Sequence, residues 1–366
     1  MTYHQPADQY RVAIVHDYLV HIRGGERVFL ALAEIFPEAD LYTLIVEPEL
    51  QRLGTRRIRT TFLSFLPAKH RLYRHYLPLY MAAARTLNLD DYDVIISSSS
   101  GFAHHVRTQG LHVCYMHSPL RYAYHEEEHF VRSLPKSIQW VFRQWCAGFR
   151  HADLRAAQKV TRFVANSTLT AARIGQHFDM PATIAYPPAG LRVTSHFTGA
   201  TRDGYLVVSS LLPYKKVDIA IQAFNAMPMR RLHVVGEGPE LDRLRRMGNV
   251  NTVFHGRVTE DELARLYTSV RAVIVPGAED FGLVPVEAQT YGTPVLALAA
   301  GGALESVLAD VTGLFFAQDQ PEAIQTAVVQ FEARQWDSRS IVAHAQRFSM
   351  EMFRQTIRAV VEEALS

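Results

Sequence analysis

The sequence predicts an α/β protein built from two doubly wound domains. Short apolar runs of strand length alternate with segments of helical periodicity, which is typical of parallel sheets covered by helices. The chain has 366 residues, more than one compact core usually holds. Two consecutive prolines at 187–188, followed by a Gly/Thr/Ser-rich stretch, interrupt the alternation near the middle. We therefore expect domains at 1–190 and 191–366, both Rossmann-like and facing a cleft.

The first domain is predicted from strands at 12–15, 94–97, 113–116 and 162–165, all of them apolar. A loop that ends at Gly24-Gly25 follows the first strand and leads into a helix. Trp140, Trp145 and Phe149 are spaced as on one face of a helix, which predicts that they pack in the core.

The second domain repeats the pattern, with strands predicted at 205–208, 232–235, 253–255, 272–275 and 294–297. Helices are predicted at 217–227 and 260–269. The last helix, 350–365, is amphipathic. This helix could pack on the C-terminal domain, and the alternative is that it packs on the N-terminal domain.

The composition excludes several classes of protein. The 38 basic and 36 acidic residues nearly balance, so charge gives no reason to expect a nucleic acid partner. The two cysteines, Cys114 and Cys146, make no disulfide framework and fit a reducing compartment. The first residues lack the charged and apolar regions of a signal peptide, and no apolar run is long enough to span a bilayer, so we expect neither a leader nor a membrane-spanning segment. We expect a cytoplasmic location.

The segment 276–288 is the most informative part of the sequence, because it follows a buried strand and opens a helix. The N–H groups around Gly282, Leu283 and Val284 are expected to point out of the helix start, where the helix dipole favours an anion. Glu279 in the loop and Glu287 in the helix would flank that anion. A carboxylate also accepts hydrogen bonds from the paired hydroxyls of a ribose.

The Glu-x7-Glu spacing from Glu279 to Glu287, around Phe281-Gly282, resembles the hallmark of glycosyltransferase family 4, which has the GT-B fold. Five further segments resemble motifs of that family in the family's order: Gly24-Gly25-Glu26-Arg27, Val164-Ala165-Asn166-Ser167, Val235-Gly236-Glu237-Gly238-Pro239, His255-Gly256-Arg257-Val258, and Gly301-Gly302 with Glu305. One such motif would be weak evidence, but six in order favour the family over chance sharing of glycines.

The resemblance implies a retaining, metal-independent enzyme without a cofactor, whose C-terminal domain binds a nucleotide sugar and whose N-terminal domain binds an acceptor. In this family the segment Arg257-Val258 would meet the base, Glu287 the ribose and the Gly282 region the phosphates. The catalytic residues implied are His117, Lys215 and Glu279, and the acceptor-binding ones are Gly24, Gly25 and Arg121. The donor-binding residues implied are Ser210, Lys216, Gly236, Gly238, Arg257, Val258, Phe281, Gly282, Leu283, Val284 and Glu287.

Two of the implied roles concern charge and contact at the donor. The segment Ser209–Lys216 resembles the family's phosphate-binding loop, in which Lys215 would stabilise the leaving group. The family usually has an arginine where this chain has Ser210, and that difference removes a bidentate donor that Lys216 or Arg257 would have to replace. His117 follows a strand and would contact the donor sugar; a strand-end histidine bonded to backbone is the alternative.

The donor and acceptor are predicted from few residues. Leu120-Arg121-Tyr122 resembles a subgroup of bacterial mannosyltransferases of polysaccharide and O-antigen assembly. This implies GDP-mannose as the donor and a glycan or lipid-linked saccharide as the acceptor. A transferase that uses UDP-glucose or another nucleotide sugar is one alternative. A catalytically degenerate nucleotide-sugar-binding protein is another, because of Ser210.

His125-Glu126-Glu127-Glu128-His129 satisfies the zinc-protease pattern His-Glu-x-x-His. Such a site also needs a third ligand and supporting hydrogen bonds, and the sequence nominates no clear third ligand. Three consecutive glutamates are also typical of a solvated surface. We therefore predict no metal site.

The stretch 52–85 contains no acidic residue but many arginines interleaved with aromatic and aliphatic side chains. This composition suits a peripheral surface on an anionic membrane, or the capture of a lipid-linked pyrophosphate. Ordinary amphipathic packing explains the apolar residues equally well, but not the absence of acids.

Overall fold

The computed structural model describes residues 10–22, 24–67, 72–125, 127–189 and 202–366. The chain divides into two compact units between Pro187 and Pro188, and the last segment, Phe353–Ser366, belongs to the first unit. The predicted boundary at residue 190 falls where the segment 190–201, which is outside the described residues, begins.

The first unit contains an eight-stranded sheet in the order β3-β4-β2-β1-β5-β6-β7-β8. Apart from β3, which pairs antiparallel with β4, neighbouring strands are parallel. The strand order reverses between β1 and β5, which is where an open parallel sheet usually carries its ligand. The strands are β1 (Val12–Leu19), β2 (Asp40–Val46), β3 (Arg52–Leu53), β4 (Arg56–Thr60), β5 (Val94–Ser99), β6 (Leu111–Met116), β7 (Arg162–Ala165) and β8 (Ala182–Ile184).

The helices of the first unit that precede the boundary are α1 (Gly24–Ile35), α2 (Leu77–Thr86), α3 (Arg121–Tyr124), α4 (Glu127–Ser133), α5 (Lys136–Ala157) and α6 (Thr168–Phe178). Trp145 and Phe149 of α5 stack at 5.4 Å between ring centroids and pack on a buried cluster, as their spacing predicts. Trp140 is 68% exposed, so the prediction that it packs in the core is wrong. It lies in the first turns of α5, before the buried face begins at Cys146.

The second unit contains a six-stranded parallel sheet in the order β11-β10-β9-β12-β13-β14, the strand order of a Rossmann fold. Alternate residues of β9 enter different apolar clusters, Tyr205 and Val207 on one face and Leu206 on the other, so both faces are covered. The strands are β9 (Tyr205–Val208), β10 (Leu232–Val235), β11 (Thr252–Gly256), β12 (Ala272–Val275), β13 (Val295–Leu298) and β14 (Gly313–Phe316).

The remaining helices are α7 (Val217–Asn225), α8 (Leu241–Met247), α9 (Glu260–Ser269), α10 (Leu283–Thr290), α11 (Ala303–Ser306), α12 (Pro321–Glu332), α13 (Ser338–Ala345) and α14 (Met350–Leu365). From Phe353 onward α14 packs on the first unit: Phe353 lies edge-on to Tyr115, and Arg354 donates to Glu34 at 3.0 Å. Within the described parts of the chain, no helix combines the length and the apolarity needed to cross a membrane.

Candidate active site

The candidate site of the second unit lies where its strand order reverses, between β9 and β12. The loop after β9 carries Lys215, and the loop after β12 carries Glu279. Their side chains meet, with Lys215 Nζ 2.7 Å from Glu279 Oε1, and both are only partly exposed. The sequence places these two residues 64 positions apart, and the parallel sheet brings them together because both loops leave the same edge. A cation and a carboxylate are thus held at the position where a Rossmann fold binds phosphate.

Glycines allow the loops around this pair to approach each other backbone to backbone. Gly302 N donates to Glu279 O at 2.8 Å, and a Cβ on Gly301 would lie 2.2 Å from the same oxygen. Gly236 has φ +135°, and a Cβ there would lie 1.8 Å from Ser209 O. Because neither Cβ fits, the Gly301-Gly302 and Gly236 motifs are structural supports of the site.

The helix start predicted to bind an anion is formed as expected. Gly282 is the residue before α10, with φ +79°, and as a glycine it supplies no side-chain cap to the helix. The N–H groups of Leu283 and Val284 belong to the first turn, where the helix dipole favours negative charge. Phe281, 3% exposed, anchors the preceding loop through its ring contact with Phe348 at 5.7 Å. The geometry suits a phosphate group.

Glu287 occupies the middle of α10 and is 4% exposed. Its Oε2 accepts a hydrogen bond from the buried Tyr267 hydroxyl at 3.0 Å. The hydrogen bond from Tyr267 therefore fixes the orientation of the Glu287 carboxylate.

The other donor-binding residues predicted for this unit also lie at the carboxyl ends of its strands. Lys216 follows Lys215 in the left-handed conformation, φ +56°, and its Nζ lies 3.4 Å from Asp319 Oδ2. Ser210, after β9, is half-buried, as is Val258, whereas Arg257, after β11, is exposed. A Cβ on Gly238 would lie 2.3 Å from Leu211 O. Lys216 thus pairs with Asp319, whereas Lys215 pairs with Glu279.

In the first unit, His117 directly follows β6, and hydrogen bonds hold its backbone on both sides. Its N–H donates to Ser99 O at 2.8 Å. Its carbonyl accepts from Asn166 Nδ2 at 2.9 Å and from Thr170 Oγ1 at 3.2 Å. Asn166 belongs to the Val164–Ser167 motif, so the structure supplies a physical role for that motif. The backbone of His117 is therefore fixed.

The ring of His117 belongs to a chain of polar groups that the sequence did not predict. Ser98 Oγ lies 2.8 Å from His117 Nε2 and 3.0 Å from His16 Nδ1. Gly25, in the first turn of α1, lies over both rings: a Cβ there would be 3.6 Å from His117 Nε2 and 3.7 Å from His16 Cε1. His16 is 2% exposed, and burial followed by the nearby His117 lowers its pKa to about 3. Gly24 is exposed beside this group.

Arg121 begins α3, four residues after His117. Its side chain is half-buried. The predicted acceptor-binding residues of the first unit, Gly24, Gly25 and Arg121, therefore lie in loops and helix starts that follow β1 and β6.

A second buried cluster lies under the same sheet. Asp153 Oδ1 is 2.8 Å from the Nε2 atoms of both His104 and His105, and Tyr124 donates to Asp153 Oδ2 at 2.8 Å. Burial acts to raise the pKa of Asp153, but His104 and the hydrogen bonds from both histidines lower it to about 2. The ligand atoms of the three residues lie within 4.8 Å of one another. The hydrogen bonds account for this arrangement as a buried polar network.

Among the described residues, no residue of the His-Glu-x-x-His motif belongs to a cluster of three possible metal ligands. Glu126 and the side chain of His129 lie outside what the structure describes. Glu127 is engaged with Arg150, at 2.5 Å from its Nη1.

The chain is similar to known glycosyltransferases. Residues 197–348 match the family model described as Glycosyl transferases group 1. The chain is 32% identical over 155 residues to D-inositol 3-phosphate glycosyltransferase of Mycobacteroides abscessus, covering 39% of this chain and 35% of that one. It is 31% identical over 159 residues to GDP-mannose-dependent alpha-(1-6)-phosphatidylinositol monomannoside mannosyltransferase of Mycolicibacterium smegmatis, covering 39% and 42%. The chain thus spans less than half the length of these relatives.

The structure resembles Anabaena Alr3699/HepE in complex with UDP, with a TM-score of 0.70 and 17% identity, covering 96% of this chain and 100% of that one. The same protein was also solved with UDP-glucose. The fold is thus GT-B, as predicted, with two Rossmann-like units.

Proposed function

We propose that this protein is a retaining, metal-independent glycosyltransferase of family 4 that transfers a hexose, mannose from GDP-mannose, to a glycan or lipid-linked saccharide. The observation that carries the proposal is the Lys215–Glu279 pair beside Gly282, the N-cap residue of α10. A nucleoside diphosphate that leaves a sugar gains negative charge, and a fixed cation with helix N–H groups stabilises that charge.

The proposed roles of the donor-binding residues come from the family resemblance, and their positions are compatible with these roles. Lys215 and the N–H groups of Leu283 and Val284 contact the diphosphate, and Glu287 accepts hydrogen bonds from the ribose. Glu279 orients the transferred sugar. In the first unit His117 contacts that sugar, while Gly24, Gly25 and Arg121 serve the acceptor. None of these roles requires a metal ion.

The choice of GDP-mannose is supported by the mannosyltransferase relative, which is GDP-mannose-dependent by name. A UDP-sugar transferase is the second candidate, since Anabaena Alr3699/HepE was solved with UDP-glucose. A binding protein without activity is the third, because Ser210 replaces the usual arginine of the phosphate-binding loop.

Thermal-shift measurements with GDP, UDP, ADP and their common sugar conjugates test the proposal. GDP-mannose should raise the melting temperature selectively, with or without EDTA, because a ligand that binds only the folded state stabilises it. In Glu287→Gln the shift should shrink, since the uncharged amide is a weaker acceptor for the ribose hydroxyls.

Three other outcomes are informative. Stabilisation by UDP sugars alone would replace mannose by the second candidate. A response lost in EDTA and restored by a metal ion would contradict the metal-independent mechanism. If no nucleotide changes the melting temperature, the proposal fails.

We also propose that the region 52–85 lies on an anionic membrane surface. Within its described residues, Phe65 is 85% exposed, Phe62 43% and Leu79 41%, and Arg57 is exposed on β4. Exposed apolar side chains with nearby cations favour the interface of an anionic bilayer.

The protein should sediment with phosphatidylglycerol vesicles at low salt, less so at high salt, and not with neutral phosphatidylcholine vesicles. Phe65→Ser should weaken the binding, and Val253→Ser, an exposed apolar position in the second unit, should serve as the matched control. A protein that stays in the supernatant at low salt would refute this proposal.

A further inference from the structure

The proton positions around Ser98 can be worked out from the atoms that surround it. His16 Nδ1 lies 3.1 Å from the backbone oxygen of Ser98 and 3.0 Å from its hydroxyl oxygen. A backbone carbonyl only accepts hydrogen bonds. His16 Nδ1 must therefore carry a hydrogen. The burial of His16, which favours its neutral form, leaves Nε2 without one, and that atom has no hydrogen-bond partner among the described residues.

The hydrogen of the Ser98 hydroxyl can therefore point toward only one of the two neighbouring histidines, His16 and His117. Its oxygen faces the N–H of His16 on one side, so its own hydrogen cannot point there. On the other side His117 Nε2 lies at 2.8 Å. The Ser98 hydroxyl has a single hydrogen, and among the described residues His117 Nε2 is the acceptor left within hydrogen-bond distance of its oxygen, so Ser98 donates to His117 Nε2.

We infer that Ser98 is a positioning residue that holds His117 as a neutral imidazole with its proton on Nδ1. The Nε2 lone pair is then occupied by the Ser98 hydroxyl, and His117 carries its hydrogen at Nδ1. Since Asn166 and Thr170 already hold the His117 carbonyl, Ser98 completes the orientation by holding the ring.

This assignment sets what His117 can do chemically. While Ser98 donates to Nε2, the ring cannot take up a proton at that nitrogen. With its hydrogen at Nδ1 and the Ser98 hydroxyl at Nε2, the ring does not act as a general base at either nitrogen. The proton assignment concerns the ligand-free protein, whereas its catalytic consequence rests on the proposed function.

The assignment is tested by ¹⁵N NMR of the full chain labelled at histidine. Two-bond ¹⁵N–¹H correlations distinguish the two neutral tautomers, and His117→Asn identifies the His117 signal among the 17 histidines by its loss. Wild-type His117 should be protonated at Nδ1. Ser98→Ala should shift His117 toward the Nε2–H form, and Ser98→Thr, which keeps the hydroxyl, should restore the wild-type pattern.

A wild-type spectrum with the proton on Nε2 overturns the inference, even where Ser98→Ala fails to fold. So does an Ala variant with an unchanged tautomer. With GDP-mannose as donor, Ser98→Ala should lower kcat about tenfold at nearly constant KM, and Ser98→Thr should recover it. If wild type turns over no nucleotide sugar, the proposed function fails, while the spectra still decide the role of Ser98.

Discussion

Replacing Lys215 by methionine should lower the turnover number by about 10²- to 10³-fold, the usual effect of removing one group that stabilises transition-state charge. Methionine preserves the length of the side chain but removes its cation. Glu279, which now lies 2.7 Å from Lys215 Nζ, would then stand uncompensated where negative charge develops. The loss should appear in kcat as well as in kcat/KM, since the charge grows as the bond to the leaving group breaks.

Two further variants make this measurement specific. Lys215→Arg keeps the charge and should retain more activity than Lys215→Met, although its planar fork cannot occupy the same point. Lys159→Met removes an exposed lysine of the first unit and should leave turnover unchanged. Near-normal turnover of Lys215→Met would move the stabilisation of the leaving group to another residue. Turnover is measured by release of the nucleoside diphosphate.

Much of the site in the second unit could be predicted from the sequence, because its parts are local. The strand at 272–275, the loop with Glu279 and the helix after Gly282 are consecutive, and each has its own pattern of apolar residues or glycines. The pairing of Lys215 with Glu279 is not local, but both residues follow strands of one parallel sheet. Parallel strands end at the same edge, so the topology alone brings such loops close.

The polar chain in the first unit could not be predicted in this way. His16 and Ser98 are 82 positions apart and lie within strands that look like ordinary buried segments. The Ser97-Ser98-Ser99 run is unusual for a buried strand, and it is the one signal that polar partners would be needed there. Even so, a serine run does not identify its partners, since they depend on the register between β1, β5 and β6.

The exposure of Trp140 illustrates a different limit. Trp140 lies five residues before Trp145, about 140° around a helix of 3.6 residues per turn, so the two side chains do not share a face and the prediction applied the helical period too loosely. The turn of α5 that enters the core is set by tertiary contacts, which begin near Cys146.

Acidification should unfold the first unit steeply, because it buries three histidines in their neutral form. Burial, with His117 nearby, lowers the pKa of His16 to about 3. Burial likewise lowers that of His112 to about 3, and burial with the neighbouring His104 lowers that of His105 to about 4. In the unfolded chain each titrates near 6.5. Between pH 6.5 and about 4, unfolding therefore takes up protons, and stability falls as the pH falls.

Asp17 acts in the opposite direction over part of this range. Burial raises its pKa to about 6, despite hydrogen bonds from the backbone of Ser100, Phe102 and Ala103. The folded protein therefore gains a proton at Asp17 on acidification that the unfolded chain gains only near pH 3.8. Near pH 5, unfolding adds about one proton at each of the three histidines and removes about one at Asp17, so that about two protons are taken up. This uptake corresponds to a loss of about 3 kcal/mol of stability per pH unit.

Urea unfolding between pH 6.5 and 5, followed by tryptophan fluorescence, measures this slope. In Trp336→Phe the two remaining tryptophans, Trp140 and Trp145, both report on the first unit. His112→Gln should remove about one of the protons taken up on unfolding and so reduce the slope by roughly 1 kcal/mol per pH unit, whatever it does to stability at pH 7. An unfolding free energy that stays flat from pH 6 to 5 would mean that these histidines are not neutral in the folded protein. Because domains rarely exceed about 15 kcal/mol in total stability, the expected slope would bring the first unit close to unfolding within a few pH units.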